Sequence, residues 1–270
     1  MTEESFTEDK LKELHRIALE AARAGALVHE RARRDALEVE TKFSSSDLVT
    51  EIDREAERQI VSVISAARPL DAILGEEGAQ VTGSSGVRWI IDPLDGTTNF
   101  VHGYPAHSVS VGVEINGERA LGVVHDTFHD CVYTGIVRFG AQCDERAIFA
   151  RTETELAHAL IGTGFLPDRD VRHAQAEVLR NVLPHVRDVR RSGCPSLDLC
   201  AVASGRLDGF YESGLGVWDR AAGAAIAEAA GAKIVELQSR TLPNPLLVAA
   251  NAKLLDALVS ILVACGAVEA

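Results

Sequence analysis

One stretch decides the interpretation of this chain: Trp89-Ile90-Ile91-Asp92-Pro93-Leu94-Asp95-Gly96-Thr97-Thr98-Asn99-Phe100. The apolar run at its start predicts a buried strand, and the two threonines predict the start of a helix. Asp92 and Asp95 are three residues apart at the strand end, so their carboxylates can converge with the Leu94 carbonyl. These are hard oxygens of the kind that Mg²⁺ prefers, and a helix start offers free N–H groups suited to a phosphate. A simple turn is the alternative, because Asp, Pro, Gly and Thr are also turn residues.

Two further acidic motifs favour a metal site. Gly75-Glu76-Glu77-Gly78 follows a predicted strand at 72–74, and Trp218-Asp219-Arg220-Ala221-Ala222-Gly223 opens an alanine-rich helix. Taken singly, the first motif is typical of a solvated loop and the second of a helix N-cap. Together with Asp92 and Asp95, they place carboxylates at two strand ends and one helix start. Such an arrangement can hold two metal ions that clamp the attacking and leaving oxygens of a phosphoryl transfer.

The periodicity of the remaining chain predicts a layered α/β protein. Apolar stripes at helical spacing predict helices over 11–32 and from about Thr50 to Ala67, and Asn116-Gly117 predicts a hairpin after a strand at 109–115. The second half alternates predicted strands at 159–163, 186–190, 207–212, 233–237 and 246–250 with helices at about 170–184, 196–204 and 220–230 and a final helix. We therefore predict a single domain over 1–270. Its half at about 1–150 carries the metal motif, and its half at about 151–270 carries the substrate loop, with one cleft shared by two sheets.

Composition narrows the class of protein. The 270 residues carry 27 Lys+Arg against 40 Asp+Glu, a formal charge of −13, which argues against a nucleic-acid binder. The acidic N-terminus is unlike a signal peptide, and the apolar run 258–268 is too short to span a membrane. Five cysteines without CxxC spacing predict reduced thiols, no zinc knuckle and no disulfide framework. We expect a cytoplasmic enzyme with a small-molecule substrate and no nucleic-acid or membrane partner.

The three acidic motifs, in this order and spacing, resemble the inositol monophosphatase family. The likeness extends from about Lys42 to Asn251. It implies a five-layered αβαβα sandwich, an inositol monophosphatase / fructose-1,6-bisphosphatase-like fold. It also implies a lithium-sensitive phosphatase that uses two to three Mg²⁺ per active site and forms a homodimer.

The same resemblance implies catalytic roles for named residues. The metal ligands would be Glu76, Asp92, Asp95, Asp219 and the carbonyl of Leu94. Glu76 and Thr97 would also orient the water that a metal activates. Asp47, in Ser-Asp-Leu-Val-Thr, would hold the Thr97 hydroxyl. Lys42 matches a family lysine near the site, although a lysine in a polar loop is usually only solvated.

Substrate contacts are implied in the same way, for Asp95, Gly96, Thr97, Gly193, Glu212 and Asp219. The N–H groups of Gly96 and Thr97 would bind phosphate. Glu212, in Gly-Phe-Tyr-Glu, would hold a ring hydroxyl of inositol, and Gly193 would begin the loop against which the sugar lies. Cys194-Pro195 replaces the small hydroxylated residue and alanine usual in the family, and Pro195 has no N–H to donate. This departure makes the alcohol part of the substrate less certain than the metal site.

The resulting expectation is a phosphomonoesterase, an inositol-phosphate phosphatase that hydrolyses myo-inositol monophosphate to inositol and phosphate. The alternatives are a related phosphatase acting on another sugar phosphate, histidinol phosphate or a nucleotide 3′-phosphate, and a non-catalytic regulatory binding protein that keeps the fold. A competing chemistry is suggested by the string Cys200-x5-Arg206, which matches cysteine-based phosphatases. Because this string lies in an apolar helical pattern, we interpret Cys200 as a core thiol.

Overall fold

The computed structural model describes residues 7–38, 45–153, 155–239 and 241–268, and for 34–38 and 45–50 it describes the backbone alone. The helices within these residues are α1 (Glu8–Glu38), α2 (Ser45–Ala67), α3 (Thr97–His102), α4 (Arg169–Val182), α5 (Pro195–Ala203), α6 (Val217–Ala229) and α7 (Ala252–Ala264). None of these helices is long and apolar enough to cross a membrane.

The strands form two sheets. The larger sheet contains β1 (Ala72–Gly75), β2 (Gln80–Val81), β3 (Val87–Asp95), β4 (Ser108–Ile115), β5 (Glu118–Asp126), β6 (Cys131–Ile136), β7 (Gly140–Cys143) and β8 (Arg146–Ile148), in the order β2-β1-β3-β4-β5-β6-β7-β8. The smaller contains β9 (Leu160–Thr163), β10 (Asp188–Arg190), β11 (Gly209–Ser213), β12 (Lys233–Leu237) and β13 (Leu246–Ala250), in the order β10-β9-β11-β13-β12. In the larger sheet β1 and β3 are parallel, so their carboxyl ends meet at one edge.

Three apolar interfaces stack the elements into five layers. α1 and α2 cover the outer face of the larger sheet, where Leu14 and Ile60 pack in one core with Trp89. α5 and α6 lie between the sheets, in a core that includes Leu199, Ile226 and Leu247. α4 and α7 cover the far face of the smaller sheet, in a core built by residues such as Val178, Leu258 and Val248. The predicted αβαβα sandwich is confirmed.

A row of glycines brings α6 unusually close to the larger sheet. Gly112, Gly122 and Gly135 lie on the neighbouring strands β4, β5 and β6 and face α6. A Cβ added at Gly112 would lie 2.7 Å from the Cβ of Ala221, and one added at Gly135 would lie 2.6 Å from the Cα of Ile226. Because real Cβ atoms do not approach so closely, the missing side chains set the distance between this helix and the sheet.

The elements predicted from sequence are confirmed with shifted ends. α2 begins at Ser45 rather than Thr50, and α6 begins at Val217 rather than 220. The periodicity missed β2, β7 and β8. The last two are joined by a turn at Asp144 and Glu145, both with positive φ (46° and 67°). This pair of left-handed residues suits a two-residue hairpin turn.

Candidate functional site

Three of the predicted carboxylates meet where β1, β3 and α6 come together. Glu76 follows β1, Asp92 lies in β3, and Asp219 lies in the first turn of α6. One carboxylate oxygen of each lies within 4.8 Å of the others. We call Glu76, Asp92 and Asp219 the carboxylate trio. Asp219 is not the N-cap of its helix: the N-cap is Gly216, whose N–H donates to Asp219 Oδ2 at 2.6 Å.

Asp92 is the buried member of the trio. Its Oδ1 accepts the N–H of Leu94 at 3.0 Å, whereas its Oδ2, equally buried, has no hydrogen-bond partner among the residues that the structure describes. Burial, followed by the charges of Asp95 and Glu76, holds the pKa of Asp92 well above its usual range. An unsatisfied buried carboxylate oxygen is costly unless a cation or donor compensates it. The trio therefore fits a divalent cation, and its all-oxygen donor set suits Mg²⁺.

Burial also raises the pKa values of Glu76 and Asp219. Loss of water around its carboxylate, followed by the charge of Asp219, raises the pKa of Glu76 to about 7, although the residue keeps a solvent-exposed side. Burial raises the pKa of Asp219 to about 6. Carboxylates that resist ionisation near neutral pH are the groups that a bound cation stabilises most.

Asp95 lies beside the trio and is held by the second half of the chain. Its Oδ2 accepts the N–H of Ser196 at 2.7 Å and the thiol of Cys194 at 3.1 Å. Burial, followed by the charge of Asp219, raises its pKa to about 7. Sequence reasoning missed both donors: Pro195 offers no N–H, and the next residue along the chain supplies one instead. A metal-ligand role for Asp95 stays a prediction.

The segment between Leu94 and Thr97 turns as predicted into α3. Gly96 has φ 86°, and a Cβ there would lie 2.7 Å from the carbonyl oxygen of Ala106, so glycine is required for this turn. The hydroxyl of Thr97 donates to the Leu94 carbonyl at 3.0 Å. Lys42 and the side chain of Asp47 lie outside the described residues, so the contact expected between Asp47 and Thr97 stays a prediction.

Asn99 connects this segment to the predicted substrate loop. Its Nδ2 donates to the carbonyl oxygens of Ala106 at 2.7 Å, Ser192 at 2.9 Å and Gly193 at 3.3 Å. Gly193 has φ 83° and therefore turns the loop in a conformation that favours glycine. The buried amide places Gly193 beside α3, and the substrate role of Gly193 stays a prediction. Sequence reasoning assigned Asn99 no role, although a buried amide in a motif needs partners of this kind.

Glu212 lies near the end of β11, the central strand of the smaller sheet, and is only 7% exposed. It shares the strand face of Phe210, which packs against α5. Burial, followed by the charges of Asp198 and Asp95, raises its pKa to about 8, with Arg191 opposing the shift. A Cβ added at Gly164 would overlap the Glu212 carboxylate, so the absence of a side chain at Gly164 leaves room for that carboxylate. Glu212 thus faces the carboxylates of the site, as a largely protonated acid at neutral pH.

Sequence comparison identifies the family to which the chain belongs. The sequence model of the inositol monophosphatase family matches residues 10–267. The chain belongs to the inositol monophosphatase family. The match spans the three acidic motifs and the helices from α2 to α7.

Relatives within the inositol monophosphatase family carry two kinds of name. An inositol-1-monophosphatase of Mycobacterium bovis is 47% identical over 206 residues, which cover 73% of this chain and 71% of the relative. A protein of Pseudomonas aeruginosa named Nus factor SuhB is 39% identical over 255 residues, covering 90% and 93%. The solved structure of Mycobacterium tuberculosis SuhB is similar with a TM-score of 0.82 at 39% identity, covering 95% of this chain and 98% of that one.

The cysteine of the C-x5-R string is a core residue in this inositol monophosphatase family member. Cys200 lies in α5, is fully buried, and its pKa is held well above the usual range by that burial. A thiol in this state is a poor nucleophile.

We expect Cys200→Ser to change kcat/KM for phosphate release by less than about twofold, because the thiol is fully buried in the core between the sheets and cannot reach a substrate. A buried hydroxyl in place of the thiol should cost about 1 kcal/mol of stability, within the usual range for one substitution. Steady-state kinetics and thermal unfolding, measured on the same preparation, separate the two effects. Loss of activity in a Cys200→Ser protein that keeps its Tm would revive the thiolate mechanism.

Proposed function

We propose that this protein is a Mg²⁺-dependent phosphomonoesterase that hydrolyses myo-inositol monophosphate to inositol and phosphate. The observation that carries the proposal is the carboxylate trio with its orphaned Asp92 Oδ2, since a buried oxygen of this kind needs a cation. The family membership and the relative named inositol-1-monophosphatase support the reaction class.

The residues proposed to hold two to three Mg²⁺ are Glu76, Asp92, Asp95, Asp219 and the carbonyl of Leu94. When bound, the cations supply positive charge that stabilises the phosphoryl oxygens in the transition state and lowers the pKa of the attacking water. Leu94 O already accepts the Thr97 hydroxyl proton, so the lone pairs of Thr97 Oγ1 are free to accept a hydrogen bond from that water.

Glu76 is proposed to orient the attacking water together with Thr97, as the family resemblance implies. The backbone N–H groups of Gly96 and Thr97 stand at the start of α3, where helix geometry leaves donors unpaired, and we propose that they bind the phosphate. Asp47 is proposed to orient Thr97.

The direct test is phosphate release from inositol 1-phosphate with Mg²⁺ and after its removal by a chelator. We expect activity only with Mg²⁺, inhibition by Li⁺ as the family resemblance implies, and slower turnover of histidinol phosphate, a nucleotide 3′-phosphate and other sugar phosphates. A faster rate on one of those substrates would support the phosphomonoesterase reaction but assign a different alcohol to the substrate. The replacement at Cys194-Pro195 leaves the identity of that alcohol open.

The alternative is a regulatory binding protein that keeps the fold, and the relative named Nus factor SuhB makes this alternative specific. The complete set of acidic residues favours catalysis, since a protein without turnover has no need for closely packed carboxylates. A folded protein that binds Mg²⁺ yet releases phosphate from none of these substrates would support the alternative.

Assembly and location belong to the same proposal. We propose one folded unit, because Asp219 from the second half of the chain completes a site begun by Glu76 and Asp92 in the first. A homodimer follows from the family resemblance and is tested by light scattering in solution. A cytoplasmic location is supported by the five cysteines, all of which are free thiols in the structure.

Specificity for inositol is proposed to depend on Glu212. Because the pKa of Glu212 is raised, the effect of replacing it should depend on pH. We expect Glu212→Gln to reduce kcat/KM for inositol phosphate slightly at pH 7, where the wild-type carboxyl is largely protonated and resembles the amide. Above pH 8 the ionised wild-type group can make charge-assisted hydrogen bonds to ring hydroxyls, each contributing about 1.5–3 kcal/mol. The loss should therefore grow to about tenfold or more at pH 9.

An aryl phosphate without ring hydroxyls is the matched control for Glu212→Gln, because it uses the same metal site. An equal fall for both substrates would mean that Glu212 supports the catalytic centre. No fall for either substrate at any pH would mean that it is only a buried strand residue.

A further inference from the structure

A second group of potential metal ligands lies away from the carboxylate trio. Cys131 begins β6, Cys143 ends β7, and Asp144 follows in the turn to β8. The two Sγ atoms and one carboxylate oxygen of Asp144 lie within 4.8 Å of one another. We call these three residues the thiol cluster. The thiols are partly buried, whereas Asp144 is exposed.

Strand pairing brings the cluster together from residues that are twelve positions apart. β6 and β7 are antiparallel with Tyr133 opposite Cys143, which places Cys131 and Cys143 as diagonal neighbours on one face of the sheet. Asp144 is tied to the same strand, since Val132 N–H donates to its Oδ1 at 2.8 Å and its own N–H donates to Val132 O at 3.0 Å. The carboxylate is thus positioned beside the thiols before any ligand arrives.

The pKa values of both thiols are raised, although the positive charge of Arg206 acts in the opposite sense on Cys143. Burial, followed by the negative charge of Asp126, raises the pKa of Cys131 to about 12, and burial also raises the pKa of Cys143. Arg206 lies near Cys143, but its Nη1 donates to the Tyr133 hydroxyl at 2.8 Å. Two thiols and a carboxylate that face one another in this way become ionised together only with a cation between them.

We propose that Cys131, Cys143 and Asp144 form a site for a thiophilic d¹⁰ cation of the Zn²⁺ class, separate from the carboxylate trio. Zinc–sulfur bonds of about 2.3 Å place two thiolates about 3.8 Å apart around a tetrahedral ion, so the cluster needs only small side-chain rotations to close. Asp144 supplies the third ligand, and solvent on its exposed side supplies the fourth. Thiolates select soft ions and carboxylates select Mg²⁺, so the two sites take different metals.

The strand registers separate Cys131 of the thiol cluster from Asp95, which lies beside the carboxylate trio. Asp95 pairs with Ser108, Ser108 with Asp126, and Asp126 with Cys131 across four neighbouring strands. Three strand spacings correspond to about 14 Å. A cation bound by the thiol cluster therefore lies too far from the carboxylate trio to join its chemistry, and it would link β6 to the turn between β7 and the edge strand β8.

Cadmium is the probe, because cadmium–thiolate bonds absorb in the ultraviolet and cadmium–carboxylate bonds do not. We expect titration of the full-length protein with Cd²⁺, in excess Mg²⁺ and a phosphine reductant, to give a charge-transfer band that saturates at one ion per chain. Cys131→Ser and Cys143→Ser should each weaken Cd²⁺ binding by at least about tenfold, since loss of even an outer partner of a metal ligand costs about 10–100-fold. A large excess of Zn²⁺ should compete with Cd²⁺ and weaken the band.

Cys265→Ser is the matched control, because Cys265 is equally half-buried and lies at the end of α7, outside the cluster. It should keep the full band. Phosphatase activity with Mg²⁺ in all three variants reports that the fold is intact. The proposal is overturned if the wild-type protein gives no thiolate band, if the band survives unchanged in Cys131→Ser, or if Cys265→Ser removes it.

Discussion

Asp219→Asn is expected to lower kcat for inositol 1-phosphate by at least about 100-fold while leaving the fold intact. Its carboxylate belongs to the trio and also accepts the Gly216 N–H, and an amide oxygen can keep that second contact. What the variant loses is one negative charge facing the proposed cations. Loss of a single electrostatic contact to the transition state commonly costs about 10²–10³-fold in kcat.

The measurement is kcat as a function of Mg²⁺ concentration, together with the circular dichroism spectrum. We expect Asp219→Asn to need more Mg²⁺ as well as to turn over slowly. Asp256→Asn, which changes an exposed carboxylate on α7, is the matched control and should behave as wild type. Near wild-type turnover of Asp219→Asn at ordinary Mg²⁺ concentrations would show that the trio is not the metal centre.

The second large effect is expected in the metal-free protein, which should become less stable as the pH rises from 6.5 to 8.5. Burial raises the pKa of Glu76, Asp95 and Asp198 to about 7 and that of Asp53 and Glu212 to about 8. In the unfolded chain these groups ionise near pH 4. The folded state therefore binds more protons than the unfolded state, and its stability is lost as the pH rises through the folded pKa values.

The pH range of the prediction begins at 6.5 because, below this pH, two buried histidines make the stability fall as the pH falls. Burial lowers the pKa of His29 to about 3 and that of His107 to about 4, so protonation of the unfolded chain reduces stability in acid. Above pH 6.5 both histidines are mostly neutral in either state.

Thermal unfolding across this window, with a chelator and with Mg²⁺, tests the prediction. Without metal we expect Tm to fall by at least about 4 °C, since 1 kcal/mol corresponds to about 2–4 °C for a chain of this size. Mg²⁺ should flatten the curve, because a cation favours the ionised carboxylates. Asp219→Asn should raise the metal-free Tm at pH 8 by relieving repulsion. A Tm that rises with pH without metal would mean that these acids are not crowded.

The metal motif could be predicted from sequence because its geometry is local. Asp92 lies near the end of a strand, Glu76 follows the parallel neighbour of that strand, and Asp219 lies in the first turn of a helix, so the motifs place the three carboxylates near element ends. Their meeting still depends on how β1, β3 and α6 pack. The family resemblance supplied that information.

Contacts that span the chain could not be predicted in the same way. Asp95 is bound by Ser196, a hundred residues away, and nothing near either residue encodes the pairing. The burial of Glu212 follows from the position of β11 between β9 and β13, which is a property of strand order and not of the local pattern. β7 was missed because Gly-Ala-Gln-Cys has little strand propensity.

The row of glycines beneath α6 has a consequence for how the affinity for metal can evolve. Gly112, Gly122 and Gly135 contribute no atom to the site, yet they determine how far Asp219 stands from Asp92. Ligand distances in metal sites tolerate deviations of only about 0.2 Å. A single methyl group added on the sheet would lift the helix by more than this tolerance. Selection could thus retune the ion affinity of the proposed site through positions that no inspection of the ligands would identify.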